Sequence, residues 1–190
     1  FPSSYENVIS VCPLGSGDSW NHWGTYHSTI DLASPGENIR STRIGTGYTS
    51  WDGSSMATPI VGSVIGLMKS FNPNWNQEQL ITMVLGTADP IIYDINTEGY
   101  LQGKLGRGRI DALAAVTTEL FPKLEFIDID ISITEDTNGQ IDQGELVELR
   151  TILFNDPEWG MGYNITGTLT LPDNIQDITI LSSTADFGNA

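Results

Sequence analysis

"DGSSMATPIVG", residues 52–62, carries the reading of this chain. An acidic residue and a glycine lead into two adjacent serines, and the serines run straight into an apolar segment. From Met56 to Phe71, Ile60, Val61, Val64, Ile65, Leu67, Met68 and Phe71 recur at helical spacing and surround the axis almost completely. A helix apolar on nearly every side is expected in the middle of a domain rather than on its surface. Its first residues are small and polar, so its positive end is expected to face a cleft. Gly53 allows an unusual backbone just before the serines, and Pro59 is expected in the first turn, where a missing N–H costs nothing. A serine at such a place is commonly a cap whose oxygen accepts a free backbone N–H. The other reading is a nucleophile, because a helix N-terminus favours the charge of a forming oxyanion. That reading needs a neighbouring base, and the chain holds two histidines, His22 and His27.

Composition narrows the choice. Apolar residues make up 39% of the 190 and charged residues 17%, enough to bury a core. Lys and Arg total 8 against 24 Asp and Glu, a formal charge of -16. Nucleic acid calls for a basic face, so it is excluded as a partner. The balance suits an acidic protein working outside cells or in a salty medium. The single cysteine, Cys12 in "VISVCPL", is expected to be a small buried hydrophobe rather than a catalytic thiol. No apolar run approaches the ~20 residues of a membrane span. The chain opens at "FPSSYENV" without methionine and closes at "ADFGNA" just after a strand-like run, so both ends look cut.

The pattern changes near Phe121–Lys123. Residues 1–120 carry 11 acids against 6 bases, whereas residues 121–190 carry 13 against 2. The first part reads as loops, short strands and helices, with further helices at Asn76–Gly86 and Ile110–Leu120. In the second part Ile127, Ile129, Ile131 and Ile133 alternate with Asp128, Asp130 and Ser132, a half-buried strand. "ELVELRTILF", "YNITGTLTLP" and "DITIL" continue in that style between Gly, Asn, Asp and Pro turns. The expectation is an α/β domain over 1–120 followed, over 121–190, by an incomplete antiparallel β-sandwich-like module.

"GSSMATPIVG" closely resembles the serine motif of the subtilisin-like serine peptidases, Gly-Thr-Ser-Met-Ala-x-Pro before a small apolar helix. Three more segments resemble that family in the same order. "FPSSYENVISV" is similar to its Tyr-Pro-Ala segment before a buried strand. "IDLASPGENIRST" is similar to its Asp-x-x-Ala-Pro-Gly turn, with Ser34 in the alanine region. "GRGRIDALAAV" is similar to its last helix. The resemblance implies that residues 1–120 are the C-terminal part of a three-layer peptidase domain, with Ser55 the nucleophile and Ser54 in place of the usual threonine. The family's chain order is Asp, His, Ser, with an asparagine in the oxyanion hole. The Asp, His and Asn would therefore precede Phe1. "HWGTYH" imitates the family's His-Gly-Thr-His helix start but falls where the family has a surface loop, and Trp23 breaks it. His22 and His27 are thus expected to face solvent, and Asp31 and Asp52 to be turn residues. The resemblance further implies a secreted endopeptidase acting on polypeptides. It also implies a weak calcium site on the backbone carbonyls of Ser3, Tyr5 and Val8.

Other signals are weaker. "DTNGQIDQGE", Asp136 to Glu145, is similar to a calcium loop, but strands flank it and its spacing is short, so a hairpin turn is expected. Asn164-Ile165-Thr166 fits a glycosylation triplet. Trp159 and Tyr163 suit loop aromatics that cap a core better than a ligand patch. The nucleophile elbow of α/β-hydrolases, Gly-x-Ser-x-Gly after a strand, fits poorly. The last glycine is missing, "GTGYTSWD" is expected to be a poor strand, and no histidine follows His27. A non-catalytic scaffold derived from a peptidase is the remaining alternative.

Overall fold

The computed structural model describes residues 3–134, 138, 140–171, 179–180 and 182–189. They form two compact units, Phe1–Thr118 and Glu119–Ala190.

In the first unit, β1 (Val11–Leu14) and β2 (Leu32–Pro35) run parallel, Cys12 opposite Ala33 and Leu14 opposite Pro35. One face of the pair sends Cys12, Leu14 and Ala33 into a cluster with Ile92, Leu101 and Leu105. Helix α1 (Ser54–Phe71) packs against the same two strands. Residues 108–110 extend the sheet at the outer edge of β2. The Ala33 N–H donates to the Gly108 carbonyl (2.8 Å), and the Ile110 N–H donates to the Ala33 carbonyl (2.8 Å).

Helix α1 differs from its sequence expectation in two ways. It starts at Ser54, so Pro59 lies in its second turn rather than its first. Proline has no N–H to offer four residues back, and the Ser55 carbonyl therefore lacks its helical partner. Burial is also one-sided. Ala57, Val61, Val64 and Met68 are buried, whereas Ile60 and Ile65 are half-buried and Leu67 and Phe71 are exposed. The apolar pattern states what a helix prefers to touch; here β1 and β2 cover one stripe of it. On the other side Gly62, Ile65, Gly66, Trp75, Leu80 and Ile81 line an open apolar groove.

Helix α2 (Gln77–Gly86) begins with a reciprocal cap at Asn76. The Gln79 N–H donates to Asn76 Oδ1 (2.9 Å), and the Asn76 N–H donates to Gln79 Oε1 (2.8 Å). A one-turn helix α3 (Ile92–Ile95) follows, with no periodic signal in the sequence. Helix α4 (Ala112–Thr117), capped by the Asp111 carboxylate, is shorter than the expected Ile110–Leu120. The β-branched run Val116-Thr117-Thr118 lowers its propensity to continue. Between β2 and α1, β3 (Ile39–Thr42) and β4 (Tyr48–Trp51) form an antiparallel hairpin. "GTGYTSWD" thus does contain a strand, against the sequence expectation.

Cys12 is fully buried, and burial pushes its thiol up from 9.0 to about 12. Native protein at pH 8 is therefore expected to leave Cys12 unmodified by a thiol reagent, with full reaction once unfolded. The raised value also ties stability to alkali. Below pH 9 the thiol is protonated in both states and nothing changes. Above it the unfolded chain loses a proton that the folded one keeps. Unfolding free energy should then fall by about 1 kcal/mol per pH unit up to pH ~12. Urea titrations of wild type and Cys12→Ala across that window check the slope, which the variant should lack.

The second unit contains two antiparallel pairs, β5 (Leu124–Thr134) with β6 (Leu146–Asn155), and β7 (Ile165–Thr168) with β8 (Thr184–Gly188). The register slips between Phe126 and Asp128, leaving Ile127 without a partner. Ile127 is therefore a bulge residue and not a member of the alternating stripe. Phe126 before the slip, and Ile129, Ile131 and Ile133 past it, face Leu153, Thr151, Leu149 and Val147 on one side of the ladder. Asp128, Asp130, Ser132, Glu148 and Arg150 fall on the other. Among the described residues neither hairpin hydrogen-bonds to the other. Of "DITIL", Asp177, Ile178 and Leu181 lie outside the described residues, as do Asp136, Thr137 and Gly139 of the calcium-like turn. Within that turn Asn138 Nδ2 donates to Asp142 Oδ2 (2.7 Å), and the Asp142 N–H donates to Glu145 Oε2 (2.7 Å). Trp159 is half-buried beneath the Lys123 ammonium (5.5 Å to the ring centre). Tyr163 is exposed, its hydroxyl on the Met161 sulfur at 3.6 Å.

Candidate active site

The serine pair sits where strand β4 turns into helix α1, and three long-range bonds fix that corner. The Gly36 N–H donates to the Leu14 carbonyl at the end of β1 (2.8 Å). The Gly53 N–H donates to the Gly36 carbonyl (2.7 Å). The Asn38 N–H donates to Asp52 Oδ1 (2.6 Å). Asp52 thus serves the corner between β4 and α1, as expected, whereas Asp31 stands at the entry to β2, its Oδ2 accepting the Ser10 N–H at 2.7 Å. Gly53 is the N-cap at φ 148, ψ 164, a conformation that a side chain would strain.

No side chain caps α1. The N–H groups of Met56 and Ala57 both reach the Gly53 carbonyl (3.0 and 3.2 Å). Among the described residues no acceptor pairs with the Ser55 N–H, and the Ser55 hydroxyl makes no hydrogen bond. Ser55 is exposed at the second position of the helix, where orphan N–H groups and the helix dipole favour negative charge. Ser54 is exposed too, and its carbonyl accepts the Thr58 hydroxyl (2.9 Å). The capping reading of this serine pair therefore has no bond to support it.

Neither histidine joins the serine. His22 and His27 are both exposed. The Thr29 N–H donates to His27 Nδ1 (3.2 Å), and the Thr29 hydroxyl lies 2.9 Å from the same nitrogen. The surrounding loop is held from below. Buried Asn96 accepts the Trp20 N–H on Oδ1 (2.6 Å), and its Nδ2 donates to the Asp18 and Ile92 carbonyls (3.0 and 2.7 Å). Arg109 bridges Asp18 and Asp89. Sequence reasoning passed over Trp51 and Tyr48 on β4, the strand that leads to Ser55. Both are more than 60% exposed, and Arg40 lies 5.2 Å over the Tyr48 ring. The signal available was two large aromatics three residues apart, just ahead of the serine pair.

The expected calcium ligands lie apart from the serine. Ser3, Tyr5 and Val8 line an open cleft together with Glu6, Asn7, Thr29 and Asp31. The Val8 N–H already donates to the Tyr5 carbonyl (3.2 Å). Among the described residues no group of three His, Cys, Asp or Glu side chains gathers there.

Residues 1–121 match the Subtilase family. The chain is a subtilase. It is 33% identical over 119 residues to the halolysin-like extracellular serine protease Nep of Natrialba magadii, covering 63% of this chain and 21% of that protein. It is 35% identical over 120 residues to halolysin of Haloferax mediterranei, covering 63% and 22%. With M-protease of Shouchella clausii it shares 33% over 115 residues, covering 60% and 28%. The matches thus span about a fifth to just over a quarter of these curated relatives. Among solved structures, a protease of Pseudoalteromonas arctica superposes with TM-score 0.53 at 25% identity, over 60% of this subtilase chain and 37% of that one. The prenylagaramide maturation protease PagA shares the fold at TM-score 0.53 and 20% identity, over 60% and 43%. Among the described residues no helix is long and apolar enough to cross a membrane.

Proposed function

We propose that this chain supplies the nucleophile side of an extracellular serine endopeptidase. Ser55 is the nucleophile, attacking the carbonyl carbon of a peptide bond to form an acyl-enzyme. The observation that carries the reading is an exposed serine, free of any capping bond, at the second position of a helix, whose own N–H has no acceptor among the described residues. That N–H cannot activate the hydroxyl; it stabilises the oxyanion that the attack creates. Activation needs a histidine base and a partner carboxylate, which this reading assigns to the part of the protein beyond these 190 residues, with the oxyanion asparagine. The exposed Trp51 ring, four residues before Ser55, offers a surface for a substrate side chain.

The same reading gives the carbonyls of Ser3, Tyr5 and Val8 a structural calcium ion, remote from Ser55 and outside its chemistry. Residues 121–190 become an accessory β-sandwich-like module, to which the β5–β6 pair contributes an apolar face.

A fluorophosphonate probe tests the assignment, since it phosphonylates only a serine with an assembled base. The whole peptidase should be labelled on the peptide containing Ser55, and Ser55→Ala should not be labelled there. A whole protein that stays unlabelled while folded is a scaffold, not a peptidase.

A further inference from the structure

Asn164-Ile165-Thr166 is the sole Asn-x-Ser/Thr triplet in the sequence, and nothing in the peptidase site uses it. The triplet by itself is common; its placement is what matters. Asn164 stands at a bend directly before β7, exposed, with φ 51. Its backbone N–H is held by Asn189 Oδ1 at 3.0 Å, which fixes the main chain at that point. Among the described residues the Asn164 carboxamide makes no hydrogen bond, so an incoming group displaces no internal partner. Thr166 is exposed as well, and β7 has one strand neighbour, β8, among the described residues. Both the reacting amide and the hydroxyl two residues on are therefore open to an enzyme from the solvent side.

We propose that Asn164 is an acceptor for an N-linked glycan. The donor is a polyprenyl-phosphate-linked oligosaccharide, and the catalyst is a membrane-bound transferase met during export. Asn164 Nδ2 forms a bond to the anomeric carbon while the bond from that carbon to the phosphate oxygen breaks. The lipid phosphate leaves with the electron pair, and one amide proton passes to a base of the transferase. The Thr166 hydroxyl supplies the recognition that a plain exposed asparagine lacks. The proposal requires export but is independent of the role given to Ser55.

Intact-mass and peptide mass spectrometry on the whole protein secreted by its own organism test this. The wild-type peptide containing Asn164 should carry the mass of an oligosaccharide. Thr166→Ser should keep that increment, whereas Asn164→Gln and Thr166→Val should both lose it. An unmodified wild-type peptide at full recovery overturns the proposal. So does an increment that survives in Asn164→Gln, because the sugar then sits elsewhere. Peptidase activity and probe labelling at Ser55 should be unchanged in all three variants.

Discussion

Ser55→Ala in the whole peptidase is expected to lower kcat on a chromogenic peptide by about 10⁶-fold, the size of serine knockouts in subtilisin. KM should stay within a few-fold. That loss corresponds to about 8 kcal/mol of transition-state stabilisation. The variant lacks the atom that makes the acyl bond, but it keeps the helix tip and the binding surface. Ser54→Ala is the discriminating control. Ser54 is exposed too, and among the described residues its side chain makes no hydrogen bond, so its removal should cost less than about tenfold. A loss confined to Ser54 would give the role to the wrong serine here. A third measurement uses the 190-residue chain alone. No histidine bonds Ser55 among the described residues, so the chain should show no Ser55-dependent cleavage of the same peptide. Activity there that disappears in Ser55→Ala would mean that a base lies within these residues.

The sequence made α1 readable because sixteen residues with one period leave few alternatives, and it made Ser55 readable because the motif fixes a position relative to that helix. Other features were hidden for definite reasons. The start of α1 depends on Gly53 at φ 148, a property of the turn rather than of the apolar pattern. Which side of α1 is covered depends on where β1 and β2 lie, and Leu67 looks like Val64 until the neighbours are known. The β3–β4 hairpin was missed because Ile39, Arg40, Ser41 and Thr42 show no apolar alternation, both of its faces being largely wet. The bulge at Ile127 removes one member of a regular stripe, and only the partner strand reveals it. The bonds that set the serine corner, Gly53 to Gly36 and Asn38 to Asp52, join residues 17 and 14 apart and leave no local trace.

Gly106→Ala should be the most damaging small substitution in the first unit, costing about 3 kcal/mol or more. The glycine has φ +87, and a Cβ there would lie 2.5 Å from the Leu32 nitrogen and 2.6 Å from the Asp31 carbonyl carbon. Both neighbours are backbone of the β2 entry, so no side chain can swing away. The segment is also tied on each side of the clash. The Arg107 N–H donates to the Asp31 carbonyl (2.9 Å), and the Tyr93 hydroxyl donates to the Gly106 carbonyl (2.6 Å). Moving it would disturb the bonds by which residues 108–110 complete the sheet. Gly103→Ala separates the two causes. Gly103 has φ +68 but open space around it, so alanine there meets backbone strain alone, about 1 kcal/mol. Urea unfolding of the whole protein carrying each change measures the difference. If the two variants lose equal stability, the close packing of "GRGRID" against β2 is not what holds this unit together. A folded Gly106→Ala protein with wild-type stability would mean that the segment does not pass β2 at this distance. In a destabilised Gly106→Ala protein the serine corner should loosen as well, because residues 108–110 extend the sheet on which α1 packs.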